Sequence, residues 1–266
     1  MELTVDGKGV FAGTGGRPLD KDRPLVVLLH GAGMDHTVWV LQARFLAHHG
    51  FSVLAIDTLG HGRSTGPPLA TIEAMADWTA GVIAASGFAR ASLVGHSMGA
   101  AVALTTAARS PDWVERIALL GASLKMPVHP GLLASARDGS TLAPDLMTSW
   151  GLGRSAQIGG HPTPGLWLTG AARRLIQKGT GPALAADLQA CTEWKGGEAS
   201  AAKVQCPALV FAGAEDRMVP AKSTQEMADA IAGAEIVTIP GSGHMMMLET
   251  PDAVVDALHG FLSGPC

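Results

Sequence analysis

Charge is scarce in this chain: only 16% of its 266 residues are Asp, Glu, Lys or Arg, and the net charge is -4. No dense Lys/Arg run occurs, and Arg173-Arg174 is the nearest approach to one. A nucleic-acid binder needs a basic face, so no nucleic-acid partner is expected. Long apolar runs are missing too. None approaches the ~20 residues of a bilayer-spanning helix, so no membrane partner is expected either. The opening Met1-Glu2-Leu3-Thr4-Val5-Asp6 lacks the basic and apolar regions of a secretory signal. Cysteine is limited to Cys191, Cys206 and Cys266, with no C-x-x-C, which argues against a disulfide framework and a zinc site. Cys206 precedes Pro207 at a strand start and reads as a buried structural thiol. A reducing cytoplasm is the expected compartment. Gly13-Thr14-Gly15-Gly16 lacks the third glycine of a dinucleotide fingerprint, and Pro18 interrupts any following helix. No histidine set has metal-ligand spacing, so no metal site is expected. There are no internal repeats.

What is present is apolar patterning. At 47% apolar residues, the chain can bury one substantial core. Strands are expected near 2–6, 8–12, 24–30, 51–56, 91–95, 114–120, 207–211 and 235–239. Helices are expected near 37–49, 71–86, 98–109, 221–232 and 251–262. Thr71 caps the second of these and Gly87 ends it. Such alternation predicts an α/β fold with a mostly parallel sheet covered on both faces. Residues 123–203 break the rhythm. They are rich in Pro and Gly, with helical segments near 130–137, 142–150, 170–178 and 182–194. This stretch reads as a helical cap inserted between two core parts, 1–122 and 204–266.

Gly95-His96-Ser97-Met98-Gly99 lies between an apolar strand and an alanine-rich helix. A serine between glycines at such a junction forms a sharp strand-to-helix turn that lifts its hydroxyl clear of the sheet. Three other strand ends carry chemistry-bearing residues: His30-Gly31-Ala32-Gly33, Gly213-Ala214-Glu215-Asp216, and Gly241-Ser242-Gly243-His244. Ligand sites in open α/β sheets collect at that end of the strands. Ser97 needs a neighbouring base to accept its proton, and His244 is the candidate. Asp216 is placed to fix the His244 tautomer. Glu215 beside it should face the other way along an extended segment. The developing oxyanion would be met by backbone N–H groups of Met98 and Ala32.

Together with Asp57-Thr58-Leu59-Gly60-His61-Gly62-Arg63-Ser64, these residues resemble the α/β-hydrolase superfamily over nearly the whole chain outside the cap. The resemblance implies an eight-stranded sheet whose second strand runs antiparallel. It also implies a serine mechanism without metal or cofactor, similar to carboxylesterases, lactonases and cofactor-free perhydrolases. Relatives with an Asp nucleophile are set aside by Ser97. Carbon–carbon bond hydrolases usually carry a longer Gly-Gly-Gly-Pro-Gly loop than His30-Gly31-Ala32-Gly33. The expected activity is cleavage of small, largely apolar carboxylic esters through an acyl-enzyme. Lactone or peroxide chemistry is the alternative, carbon–carbon bond hydrolysis is a lesser one, and a non-catalytic ligand-binding protein is a remote one.

The pocket candidates are Gly33, Met126, Met147, Trp150, Trp167 and Met245. For Trp150, Trp167, Trp194, Met126 and Met147 the competing reading is cap core, and for Met245-Met246-Met247 it is ordinary core. Arg137, Arg154, Arg173 and Arg174 could hold a substrate carboxylate or form a solvated face. His30, His61 and His96 read as loop-shaping groups. The partner expected is a small-molecule ester or lactone, and nothing in the sequence specifies an oligomeric state.

Overall fold

The computed structural model describes residues 1–161, 163, 165–179 and 182–264. The strands are β1 (Glu2–Val5), β2 (Lys8–Gly13), β3 (Leu25–Leu29), β4 (Ser52–Ile56), β5 (Ala91–His96), β6 (Val114–Leu120), β7 (Ala208–Gly213) and β8 (Glu235–Ile239). They form one sheet in the order β1-β2-β4-β3-β5-β6-β7-β8. β2 runs antiparallel to β1 and β4, and the pairings from β4 through β8 are parallel. Every residue of β3, β4, β5 and β7 is buried. Successive side chains point to opposite faces, so burial at every position requires both faces to be covered.

The helices before the cap are α1 (Val40–His48), α2 (Ile72–Ser86) and α3 (Met98–Arg109). The next five are α4 (Pro130–Arg137), α5 (Leu142–Gly151), α6 (Arg154–Gln157), α7 (Leu168–Lys178) and α8 (Pro182–Glu193). The last four are α9 (Gly197–Ala201), α10 (Ala221–Ala230), α11 (Met246–Glu249) and α12 (Pro251–Ser263). α1 packs with α12, while α2 packs with α3, which lies on β5 and β6. Helices α4 to α8 pack largely on one another. α9, at the end of the 123–203 stretch, packs instead on α3 and α10. Among the described residues no helix is long and apolar enough to cross a membrane.

Local signals act where expected. Thr71 Oγ1 accepts the Ala74 N–H at 3.1 Å, and Gly87 ends α2 in the left-handed region at φ 72°. The helix expected from residue 37 begins as a 3-10 turn, His36–Trp39, before α1 proper. The Asp35 carboxylate caps Thr37 N–H, and Asp57 at the end of β4 accepts the His36 N–H at 2.7 Å. These two anchors tighten the first turn, a tertiary constraint on the helix start.

Parallel register aligns the strand ends. Leu29 pairs with Gly95, His96 with Leu120, Leu120 with Phe211, and Gly213 with Ile239. The loops after β3, β5, β6, β7 and β8 therefore emerge along one edge of the sheet.

Candidate active site

Ser97 sits between β5 and α3 with φ 52° and ψ -115°, one of two non-glycine residues at positive φ among those described. Such a conformation costs about 1–3 kcal/mol and persists only where its surroundings impose it. The flanking glycines show how it is imposed. A Cβ on Gly95 would collide with the Gly99 carbonyl, and one on Gly99 with the carbonyls of Leu29 and His30. Replacing Gly99 by alanine is therefore expected to destabilise the fold by about 3 kcal/mol or more, because backbone must move. Chemical denaturation of the variant checks this.

His244, in the loop after β8, places Nδ1 2.8 Å from Asp216 Oδ2, and both side chains are almost fully buried. The other Asp216 oxygen, Oδ1, accepts the Met218 and Val219 N–H groups, each at 2.8 Å. Burial works to raise the Asp216 pKa, but the charge and hydrogen bond of His244 and the two N–H donors pull it below 3.8. His244 Nε2 is buried and has no hydrogen-bond partner among the described residues. Gly121, at φ 58°, makes room for this ring: a Cβ there would lie 2.9 Å from His244 Nδ1. Glu215 faces away, accepting the Arg154 N–H at 2.7 Å.

The His244 loop is fastened to the helices above it. The Gly151 carbonyl accepts the N–H groups of His244 at 2.8 Å and Met245 at 3.2 Å. Glu249, buried, takes the Gly153 N–H at 2.7 Å and the Gly243 N–H at 3.1 Å, bridging cap and loop. Burial raises its pKa, and these backbone donors oppose the rise.

Ser97, His244, Gly31 and Ala32 line a common cavity of about 230 Å³. Four of the expected pocket residues line it as well: Met126, Met147, Trp150 and Met245. Two do not. Trp167 is 67% exposed, with its ring laid over Gly170 at the start of α7. Gly33 turns away at φ 67° beneath Leu184 of α8. Trp194 is buried but does not line the cavity, while Met246 and Met247 are core. Arg173 pairs with Asp145, Arg137 bonds Gln189 at 2.6 Å, and none of the four suggested arginines lines the cavity.

Sequence reasoning missed Arg217 and Lys125, which reach the cavity lining, and Cys191, whose buried thiol has its pKa pushed up. Arg217 follows Asp216 directly, and that adjacency was the available signal. His96 is fully buried, with Nε2 3.0 Å from the His244 carbonyl. Burial, and then the charge of His244, lowers its pKa to about 3, so it stays neutral.

Asp35, His36 and Asp57 bring three possible ligand atoms within 4.8 Å of one another. Those atoms are engaged. Asp57 Oδ1 accepts from His36 N and Nδ1, Oδ2 accepts from Arg63 N, and Asp35 accepts from Thr37. Asp57 is fully buried. Burial raises its pKa, and the His36 and Arg63 bonds outweigh that to hold it below 3.8. For carboxylates depressed in the folded state, the stabilisation is full above the unfolded pKa and is lost as pH falls through the folded one. The melting temperature is therefore expected to drop as pH falls below about 4. Asp57→Asn should cost about 1–3 kcal/mol at pH 7 and flatten that acid limb in a series of thermal melts.

The family profile described as "Alpha/beta hydrolase family" matches residues 26–257. The chain is 27% identical over 245 residues to the (E)-2-((N-methylformamido)methylene)succinate hydrolase of Acinetobacter baylyi, covering 89% of each chain. It is 26% identical over 250 residues to Protein ABHD8 of Mus musculus, covering 90% of this chain and 55% of the mouse protein. It thus spans about half the length of that relative and of its Bos taurus counterpart. Among solved structures, the enol-lactonase from Burkholderia xenovorans LB400 superposes with a TM-score of 0.89 at 26% identity, over 99% of this chain and 100% of the other.

Proposed function

That the chain belongs to the alpha/beta hydrolase family is the premise from which we propose a serine hydrolase acting on small, largely apolar carboxylic esters. The observation that carries the reading is geometric. A serine held in a strained turn shares one cavity with a buried histidine whose Nδ1 is committed to Asp216 and whose Nε2 is uncommitted. An ionised Asp216 only accepts, so His244 carries its proton on Nδ1 and presents a lone pair at Nε2. That nitrogen takes the Ser97 proton as Oγ attacks the carbonyl, and a Ser97–His244 hydrogen bond forms when substrate binds. Asp216 stabilises the imidazolium that forms. The proton then passes to the leaving alcohol, and water activated by His244 cleaves the acyl-enzyme.

The oxyanion is met by the Ala32 and Met98 N–H groups, for which no acceptor occurs among the described residues. Each such donor is worth about 3–4 kcal/mol to the rate. These residues need no metal or cofactor for this chemistry. The methionine-rich lining and the cavity size support a small apolar acyl group. The free Cys191 and Cys206 thiols support a reducing, cytoplasmic location.

Lactone hydrolysis is the second reading. It is favoured by the likeness to an enol-lactonase and uses the same residues, with the leaving alcohol retained in the product. The test is labelling by a fluorophosphonate, with mass mapping of the adduct, alongside hydrolysis of p-nitrophenyl esters from acetate to decanoate and of a lactone panel. A Ser97 adduct with turnover of either panel is expected. Turnover that survives complete labelling of Ser97 would overturn the reading.

A further inference from the structure

Helix α8 turns a single carboxylate inward. Asp187 is fully buried, on the same helix face as Leu184, Leu188 and Cys191. An isolated carboxylate in such surroundings is costly, so its partners matter. Asp187 Oδ2 accepts the Gly33 N–H at 2.8 Å and lies 2.9 Å from His61 Nε2. Gly33 belongs to the loop after β3, and His61 to the loop after β4.

The contacts continue beyond His61. Its Nδ1 lies 2.9 Å from Thr58 Oγ1 and 3.1 Å from the Leu59 carbonyl. A carbonyl and a carboxylate both only accept, so His61 carries protons on both nitrogens. Burial opposes that charge, but the Asp187 hydrogen bond and charge outweigh it and raise the His61 pKa. With His61 donating, the Thr58 hydroxyl is released to donate to His30 Nε2, 3.1 Å away, beside the Thr58 N–H at 3.2 Å. His30 must then carry its proton on Nδ1, which donates to the Gly31 carbonyl at 2.9 Å.

The chain of bonds therefore begins and ends on one loop. The trans Gly31–Ala32 peptide has its carbonyl held by His30, so the Ala32 N–H points the opposite way. The next peptide, Ala32–Gly33, has its N–H held by Asp187. The cap also bears on the loop sterically: a Cβ on Gly33 would lie 2.7 Å from Leu184 Cδ1, and one on Gly179 would strike the Gly33 carbonyl.

We propose that Asp187 is a positioning residue. Carried by the cap, it fixes the peptide planes on either side of Ala32 and so aims the Ala32 N–H at the oxyanion formed when Ser97 attacks a carbonyl. The inference rests on the serine-hydrolase reading above. It makes the efficiency of the chemical step depend on how α8 sits on the core.

The test compares wild type, Asp187→Ala, Asp187→Asn and Ser97→Ala on the best ester substrate. It also measures inhibition by an aryl trifluoromethyl ketone, which adds to the serine as an oxyanion, and by the product carboxylic acid, which does not. Asp187→Ala is expected to lower kcat about 30–100-fold with KM within about threefold. Its ketone affinity should weaken by the same factor, while inhibition by the acid is unchanged. Asp187→Asn keeps an acceptor for Gly33 but leaves His61 without its countercharge. It should lose about 5–10-fold with the same split between ketone and acid. Folded variants that keep kcat and ketone affinity within about twofold overturn the proposal, as does equal weakening of substrate, acid and ketone. If Asp187→Ala does not fold, Asp187→Asn decides by the same split. Full activity in Ser97→Ala would instead overturn the serine reading itself.

Discussion

Ser97→Ala is expected to lower kcat by about 10⁴–10⁶-fold while leaving the melting temperature within about 1 °C of wild type. The hydroxyl is the only group removed. Backbone donors and the cavity remain, which is why a residual rate over water should survive. Stability is unaffected because alanine occupies the same strained φ of 52° as serine. Ser97→Gly separates the two roles. It should be as inactive as Ser97→Ala, yet more stable by about 1 kcal/mol, since glycine adopts positive φ without the Cβ penalty. Steady-state kinetics and thermal melts of the pair check both halves. A Ser97→Gly protein no more stable than Ser97→Ala would mean that the turn stores no strain at this residue.

The second large effect is expected at Asp216. Asp216→Asn should lower kcat at neutral pH by about 10⁴-fold, although it changes one atom. The reason lies in the other oxygen. Asp216 Oδ1 accepts two backbone N–H groups, from Met218 and Val219, so the asparagine carbonyl must occupy that position. Its NH₂ is then forced toward His244 Nδ1, which becomes an acceptor. The His244 proton moves to Nε2, and the ring is left with no lone pair for Ser97. Glu215→Gln is the matched control. That side chain faces Arg154 rather than His244, and its rate should stay within about twofold. Comparable losses in the two variants would place the orienting carboxylate elsewhere.

Legibility in the sequence followed how local each cause was. The elbow was readable because Gly95 and Gly99 are required by a close approach of backbones two residues either side of Ser97. The buried strands were readable because unbroken apolar runs such as Leu25–Leu29 suit only a doubly covered parallel sheet. The outward turn of Trp167 was not readable. An apolar ring at a helix start has no local rule deciding whether it meets the cavity or solvent. Nor was Asp187. Its signal, a charge among alanines and leucines in α8, marks a buried carboxylate but does not name its partners. Those partners, Gly33 and His61, lie 154 and 126 residues away in the chain.

The sequence by itself determined the order of strands and helices, the strained serine turn and that only one carboxylate of the 215–216 pair can face His244. Each follows from periodicity, glycine sterics or alternation over a few residues. Only the tertiary structure decided which cap residues line the cavity, that Glu249 bridges the His244 loop to the cap, and that Asp187 holds the loop carrying Ala32. These depend on how α4 to α8 dock over the sheet edge. That docking is set by long-range burial and by pairing of buried polar groups, which no short window of sequence contains.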